Sequence, residues 1–247
     1  IILSLKKINF SRNICLNLYN EPLADKNFTF YLKFIRENLP LSILQSNSNG
    51  DFIKKVNDLY KLEASGLNKL KITLHVPKGK KYSQADSRQS LIKFAKRINF
   101  QLNSKHISEL GFCFRVNKLF VIVQCPNWFD EGNYRGGTIN TTKTYKNRVS
   151  PCVKPFREFT VYYNGNVTPC CDIFNNNNFN KHVIQSVDKN DSNSIFKIYA
   201  YKKLSQWRKH LFGWNSKKDP CASCSSSIDN LNRDDTENRE QILNNVS

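Results

Sequence analysis

Between residues 14 and 97, short apolar runs alternate with longer amphipathic ones, and this alternation narrows the folds open to the chain more than any other feature. Segments of this kind bury their apolar faces by building a parallel sheet with helices packed on it. Residues 14–18 read as a strand and 26–38 as a helix, broken at Pro40. Residues 41–45 form a second expected strand, closed by the turn signal Asn49-Gly50. In 51–64 the apolar Phe52, Ile53, Val56, Leu59 and Tyr60 recur at helical spacing, and Gly66 supplies the stop. A third strand is expected over 69–74 with its returning helix over 87–98. Residues 119–123 read as a buried strand, 112–115 as another, and 127–146 as a polar loop.

Hydrophobic residues make up 39% of the chain, enough for a core, yet no run reaches the ~18 apolar residues that a spanning helix needs. Lys and Arg outnumber Asp and Glu by 38 to 20, a formal charge of +18, which would suit nucleic acid or an acidic peptide. The lysines are spread along the chain, and Asn175–Asn178 belong to a general Lys and Asn bias, so the charge reads as a solvated surface and nucleic-acid binding is not expected. The opening IILSLKKINF has too short an apolar run for a signal peptide. With Ile1 first and no Met anywhere, the expectation is a fragment.

Eight cysteines in a chain with a sizeable core and no sign of export point to a reducing cytoplasm, where clustered thiols serve metals rather than disulfides. Cys152 precedes Lys154-Pro155-Phe156. An apolar run then leads through the hairpin signal Asn164-Gly165 to Cys170-Cys171-Asp172, which carries Cys170 back towards Cys152. Cys221-Ala222-Ser223-Cys224 adds a CxxC after Pro220. Four thiolates are what a 4Fe–4S cluster requires, and Cys152, Cys170, Cys221 and Cys224 form the expected set. Cys171 is the alternative, since neighbours on extended backbone point opposite ways. Zinc accepts the same four ligands, and spacing leaves both metals open. Cys15, Cys113 and Cys125 are expected to be small buried hydrophobes. Tyr162, Tyr163 and Trp128 are expected to serve packing, and Asp172 a structural role.

Taken in order, PCVKPF, VYYNGNVTPCCD, SIFKIYAYKKLSQWRKHLFG and CASC resemble the SPASM domain, a C-terminal extension of radical S-adenosylmethionine enzymes, in a short form with a single auxiliary cluster. LNLYNEPLADK is similar to the strand end of these enzymes that reads Gly-Glu-Pro or Asn-Glu-Pro-Leu. SNSNG resembles their Thr-Asn-Gly, and LKITLH the strand that follows. The resemblance implies that Asn20 and Glu21 lie near the amino group of S-adenosylmethionine. Ser48, Asn49 and Gly50 would stand at the same mouth, with Thr73 towards the ribose and His75 beside it. Ligand sites of parallel α/β sheets do gather at the carboxyl ends of strands.

The likeness begins at what would be the second strand, and the CxxxCxxC that holds the catalytic cluster of the family is absent from the sequence, where Cys15 stands alone. The expected fold is therefore α/β, an incomplete partial (β/α)6 barrel lacking its first strand (1–147). A small Cys-rich SPASM-type domain of β-hairpin and helix (148–225) and a disordered polar tail (226–247) would follow. The implied activity of the intact protein is reductive cleavage of S-adenosylmethionine at a catalytic 4Fe–4S cluster, giving a 5′-deoxyadenosyl radical that abstracts hydrogen from a peptide or protein. A reductase, flavodoxin or ferredoxin would donate the electron, no membrane is implied, and this polypeptide alone should be inactive. The alternative is a non-catalytic relative or a zinc module that recognises peptide or nucleic acid.

Overall fold

The computed structural model describes residues 1–76, 81–131, 147–174, 179–224 and 233–246. The chain divides into two compact units, Ile1–Asn127 and Trp128–Ser247. The division falls earlier than the boundary expected near 147, and residues 132–146 of the expected loop lie outside the described residues.

The first unit is built on a sheet ordered β1-β2-β3-β5-β4, from β1 (Asn13–Cys15), β2 (Ile43–Ser48), β3 (Lys69–Thr73), β4 (Gly111–Val116) and β5 (Leu119–Gln124). β1, β2, β3 and β5 run parallel, and β4 returns antiparallel on β5. The helices Phe28–Asn38, Val56–Ala64 and Gln84–Arg97 connect the parallel strands. Leu44, Leu70, Ile72 and Val121 point to one face, where they meet Leu32, Ile35, Leu59, Leu91 and Phe94 in a continuous core. Burying each such side chain contributes about 1.5–3 kcal/mol. The opposite face carries Gln45, Asn47, Lys69, Lys71, Ile122 and Gln124, all exposed or half-buried.

Several elements differ from expectation for local reasons. β1 stops at Cys15 because side-chain amides take over the backbone's bonding: Asn17 Oδ1 accepts from Asn47 N at 2.7 Å and Asn20 Oδ1 from Leu18 N at 2.8 Å. The third-strand approach helix starts at Val56 rather than 51. Gly50 turns left-handed at φ +79, and Asp58 Oδ2 accepts from the Lys54 and Lys55 amides to cap the helix start. Phe52 and Tyr60 consequently remain exposed while Ile53 and Leu59 are buried. Cys125 is buried as expected, but Cys15 and Cys113 are exposed. Both sit on strands next to open-face residues, Cys15 opposite Gln45 and Cys113 opposite Ile122.

In the second unit β6 (Thr160–Val161), β7 (Asn166–Thr168) and β8 (Gln185–Ser186) form an antiparallel sheet. Gly165, at φ +85, makes the β6–β7 turn, a conformation glycine adopts without steric cost. Val167, Ile184, Ile198 and Leu204 form its apolar cluster. Tyr162 is buried and its hydroxyl donates to the Ile173 carbonyl, whereas Tyr163 is 92% exposed and Trp128 is also exposed. The expected disordered tail is instead helical over Arg233–Val246. Buried Arg239 anchors it by stacking over Phe212 at 4.7 Å and donating to the Phe212 carbonyl. No described helix is long and apolar enough to cross a membrane.

Candidate metal centre and strand-end mouth

Backbone bonds draw the first cysteine of the second unit to the last two. Cys152 N donates to Leu211 O at 2.8 Å, Arg148 N to Ala222 O at 2.9 Å, and Asn215 N to Val149 O at 3.1 Å. The segment before Cys152 is thereby stitched to the chain that leads into Cys221 and Cys224. The β6–β7 hairpin delivers Cys170, and Thr168 Oγ1 donates to the Cys170 carbonyl at 3.0 Å.

The thiols lie in one another's fields. Burial pushes the Cys152 thiol up, and the charge of Cys224 adds to it. Burial likewise pushes up Cys221, to about 12, with Cys224 and Cys152 adding. Cys170, an enclosed thiol, is raised by burial, then by Asp172 and Cys221. Thiols so placed hold their protons until a cation replaces them, because several thiolates at close quarters repel and are poorly solvated. Cys171 faces elsewhere. Burial raises it too, but its charged neighbours are Lys154, Asp172 and Glu158. None of the eight cysteines is in a disulfide.

Three cations surround this cluster of sulfur. Arg148, buried, lowers the pKa of both Cys152 and Cys221, and is held by bonds from Nε to Ser150 Oγ and from Nη2 to the Pro151 carbonyl. Lys217 is buried, and its ammonium donates to the His210 and Gly213 carbonyls at 3.2 and 2.6 Å. Lys154 pairs with buried Asp172. Burial works against the Lys154 ammonium, but the charges of Asp172 and Cys171 and the Asp172 hydrogen bond outweigh it and hold its pKa up. Sequence reading did not single out these cations as site residues. Their signal was positional: Arg148 and Lys217 each precede a cysteine of the set by four residues.

The donor set fits an iron-sulfur cluster in its chemistry: four thiols from three chain segments, with fixed positive charge to offset the anion they would make. Among the described residues, no group of three or more His, Cys, Asp and Glu stands at the spacing of a single bound metal ion. Four sulfurs on one zinc would lie roughly 3.8 Å apart, as 2.3 Å bonds in a tetrahedron require.

A second constellation lies at the carboxyl end of β2. Glu21 Oε1 accepts from Leu23 N at 3.0 Å and Ser48 Oγ at 2.9 Å, and its Oε2 accepts from Asn49 N at 2.6 Å. Ser48 Oγ in turn accepts from Gly50 N at 2.9 Å. The structure therefore brings Glu21, Ser48, Asn49 and Gly50 together. A carboxylate has about four acceptor sites, so Glu21 keeps capacity for a further donor. Asn20 is exposed, with its side chain turned back on Leu18. Thr73 is buried at the end of β3 in register with Gln124, and His75 beyond it is exposed.

The model of the SPASM family, an iron-sulfur cluster-binding domain, matches residues 152–225. BtrN in complex with AdoMet and 2-DOIA shares the fold with a TM-score of 0.60 at 21% identity, over 91% of this chain and 77% of that one. Selenomethionine BtrN in an open conformation gives 0.56 at 20% identity, over 91% and 76%. No curated protein matches in sequence. The chain thus shares its overall fold with BtrN and carries a C-terminal match to an iron-sulfur cluster-binding domain.

Proposed function

We propose that Cys152, Cys170, Cys221 and Cys224 ligate an auxiliary 4Fe–4S cluster, in a protein whose intact form is a radical S-adenosylmethionine enzyme acting on a peptide or protein. The reading is supported by the backbone bonds that stitch the Cys152 segment to the chain leading into Cys221 and Cys224, and by the electrostatic influence of Cys221 on Cys170. Arg148, Lys154 and Lys217 would offset the negative charge of a four-thiolate cluster, and Cys171, turned to Lys154, would stay outside it. Free thiols throughout are compatible with a cytoplasmic setting.

At the other constellation, Glu21 would accept from the amino group of S-adenosylmethionine with the acceptor capacity left to it. Ser48 and the Asn49 amide hold that carboxylate still, which spares the reorganisation a mobile acid would need. Asn20, Asn49, Gly50, Thr73 and His75 would line the rest of the mouth, with Thr73 towards the ribose. S-adenosylmethionine held there would supply radical chemistry in the intact protein, with a catalytic 4Fe–4S cluster and a reductase, flavodoxin or ferredoxin as the source of the electron. The likeness to BtrN, whose structure holds AdoMet, supports this reading of the fold.

Anaerobic reconstitution with iron and sulfide tests the proposal. The chain should turn brown, with a broad absorbance that bleaches on reduction and about four irons bound per chain. Cys170→Ser should lose this signal and Cys171→Ser keep it. A colourless protein with stoichiometric zinc would sink the cluster assignment. A second reading, a non-catalytic relative, is favoured by one observation: the 247 residues contain no CxxxCxxC. Finding that motif in the upstream coding sequence decides for the enzyme.

A further inference from the structure

The sheet face opposite the helices is cationic, and its strands offer nothing to balance it. Lys69 and Lys71 project from β3 on this face, two residues apart and so roughly 7 Å from one another. Parallel register sets Gln45 beside Lys69 and Asn47 beside Lys71 on one flank. On the other, Ile122 lies beside Lys71, and Gln124 follows on the same side of β5. These six residues line a hollow of about 350 Å³, within the roughly 300–1,000 Å³ range of ligand clefts. None of the five strands contains an Asp or Glu. Neither lysine's ammonium forms an ion pair or hydrogen bond among the described residues.

Two ammonium groups on one face at this spacing make a patch of positive potential suited to an anion. We propose that this hollow takes the carboxylate-bearing part of an acidic substrate. Lys69 and Lys71 are its charge partners, the Gln45, Asn47 and Gln124 amides orient it, and Ile122 packs against its apolar stem. Asn47 of the hollow immediately precedes Ser48 of the Glu21–Ser48 mouth, so both sites lie towards the carboxyl end of β2, on its opposite faces. That the ligand is a substrate rests on the function proposed above; the preference for carboxylate does not. A hollow of this size holds a residue or two, not a nucleic-acid duplex.

The test is an NMR titration of the chain with acetyl-Glu-Glu-amide, using acetyl-Gln-Gln-amide and inorganic phosphate as comparisons. Diglutamyl peptide should shift the amides of residues 45–47, 69–71 and 122–124 saturably, and more weakly as salt rises. The double substitution Lys69→Gln and Lys71→Gln should raise its Kd by roughly tenfold or more, while Lys69→Arg with Lys71→Arg, which keeps the charge, should bind. Equal binding of the diglutamine peptide, tighter binding of phosphate, or an unaffected Gln variant would overturn the assignment. A chain that assembles its cluster yet ignores the acidic peptide refutes this inference alone. One that binds the peptide here but stays colourless on reconstitution refutes the proposed cluster and leaves this inference standing.

Discussion

His210 ties a hydrogen bond of the second unit to pH. Its Nε2 accepts from Lys218 N at 3.0 Å, on the approach to the CxxC, and only a neutral ring can do so. Burial, then Lys217 and Lys218, hold its pKa below the ordinary 6.5. The group is depressed in the folded state, so its contribution is complete above pH 6.5 and is lost as pH falls through the lower folded value. A His210→Gln variant should lose less melting temperature than the parent chain between pH 7 and pH 5. Parallel pH profiles would contradict this role. Gly50 is the other sensitive position. Its φ of +79 is costly for other residues, and an added Cβ would stand 2.9 Å from Ile72 Cγ2. Gly50→Ala should cost about 1–3 kcal/mol, read as a lower denaturant midpoint, and should disturb the Glu21–Asn49 contact beside it.

Single side chains also fix how elements meet. Arg36, near the end of the helix Phe28–Asn38, donates to the Pro40 carbonyl at 2.7 Å and the Ser42 carbonyl at 2.8 Å. Its other nitrogen reaches the Gly66 carbonyl at 2.9 Å and the Asn68 side chain. One planar fork thus ties that helix to the starts of β2 and β3. Arg36→Ala should destabilise by about 2–3 kcal/mol in chemical denaturation, and Lys should not restore it, since a point charge cannot span four acceptors. The parallel strands and their helices were legible in the sequence because apolar periodicity reports burial directly, as at Leu44, Leu59, Leu70 and Leu91. The end of β1 was not, since it depends on Asn17 bonding to Asn47, thirty residues away. The cysteines were visible as ligand types. The cations around them were not singled out, because Arg148 and Lys217 resemble any other basic residue of a Lys-rich chain until the fold sets them beside sulfur.

The two units differ in what sustains them. Ile1–Asn127 has an extended core from Phe28 to Cys125, whereas the apolar cluster of the second unit centres on Val167, Ile184, Ile198 and Leu204. The cluster proposed above would add to the stability of the second unit, since metal binding is coupled to folding. Hydrogen exchange should therefore speed up around residues 148–152, 166–171 and 211–224 when the cluster is stripped, while β2, β3 and β5 keep their protection. Equal loss in both units would argue against this division of labour. The acid-free strands of the first unit have a consequence of their own. They also contain no histidine, so no strand side chain there changes protonation between mild acid and neutrality. An acid titration of binding at that surface would then owe nothing to the strands, so once a Glu21→Gln variant has removed the carboxylate at the end of β2, its midpoint would help to reveal what kind of acid the visitor is.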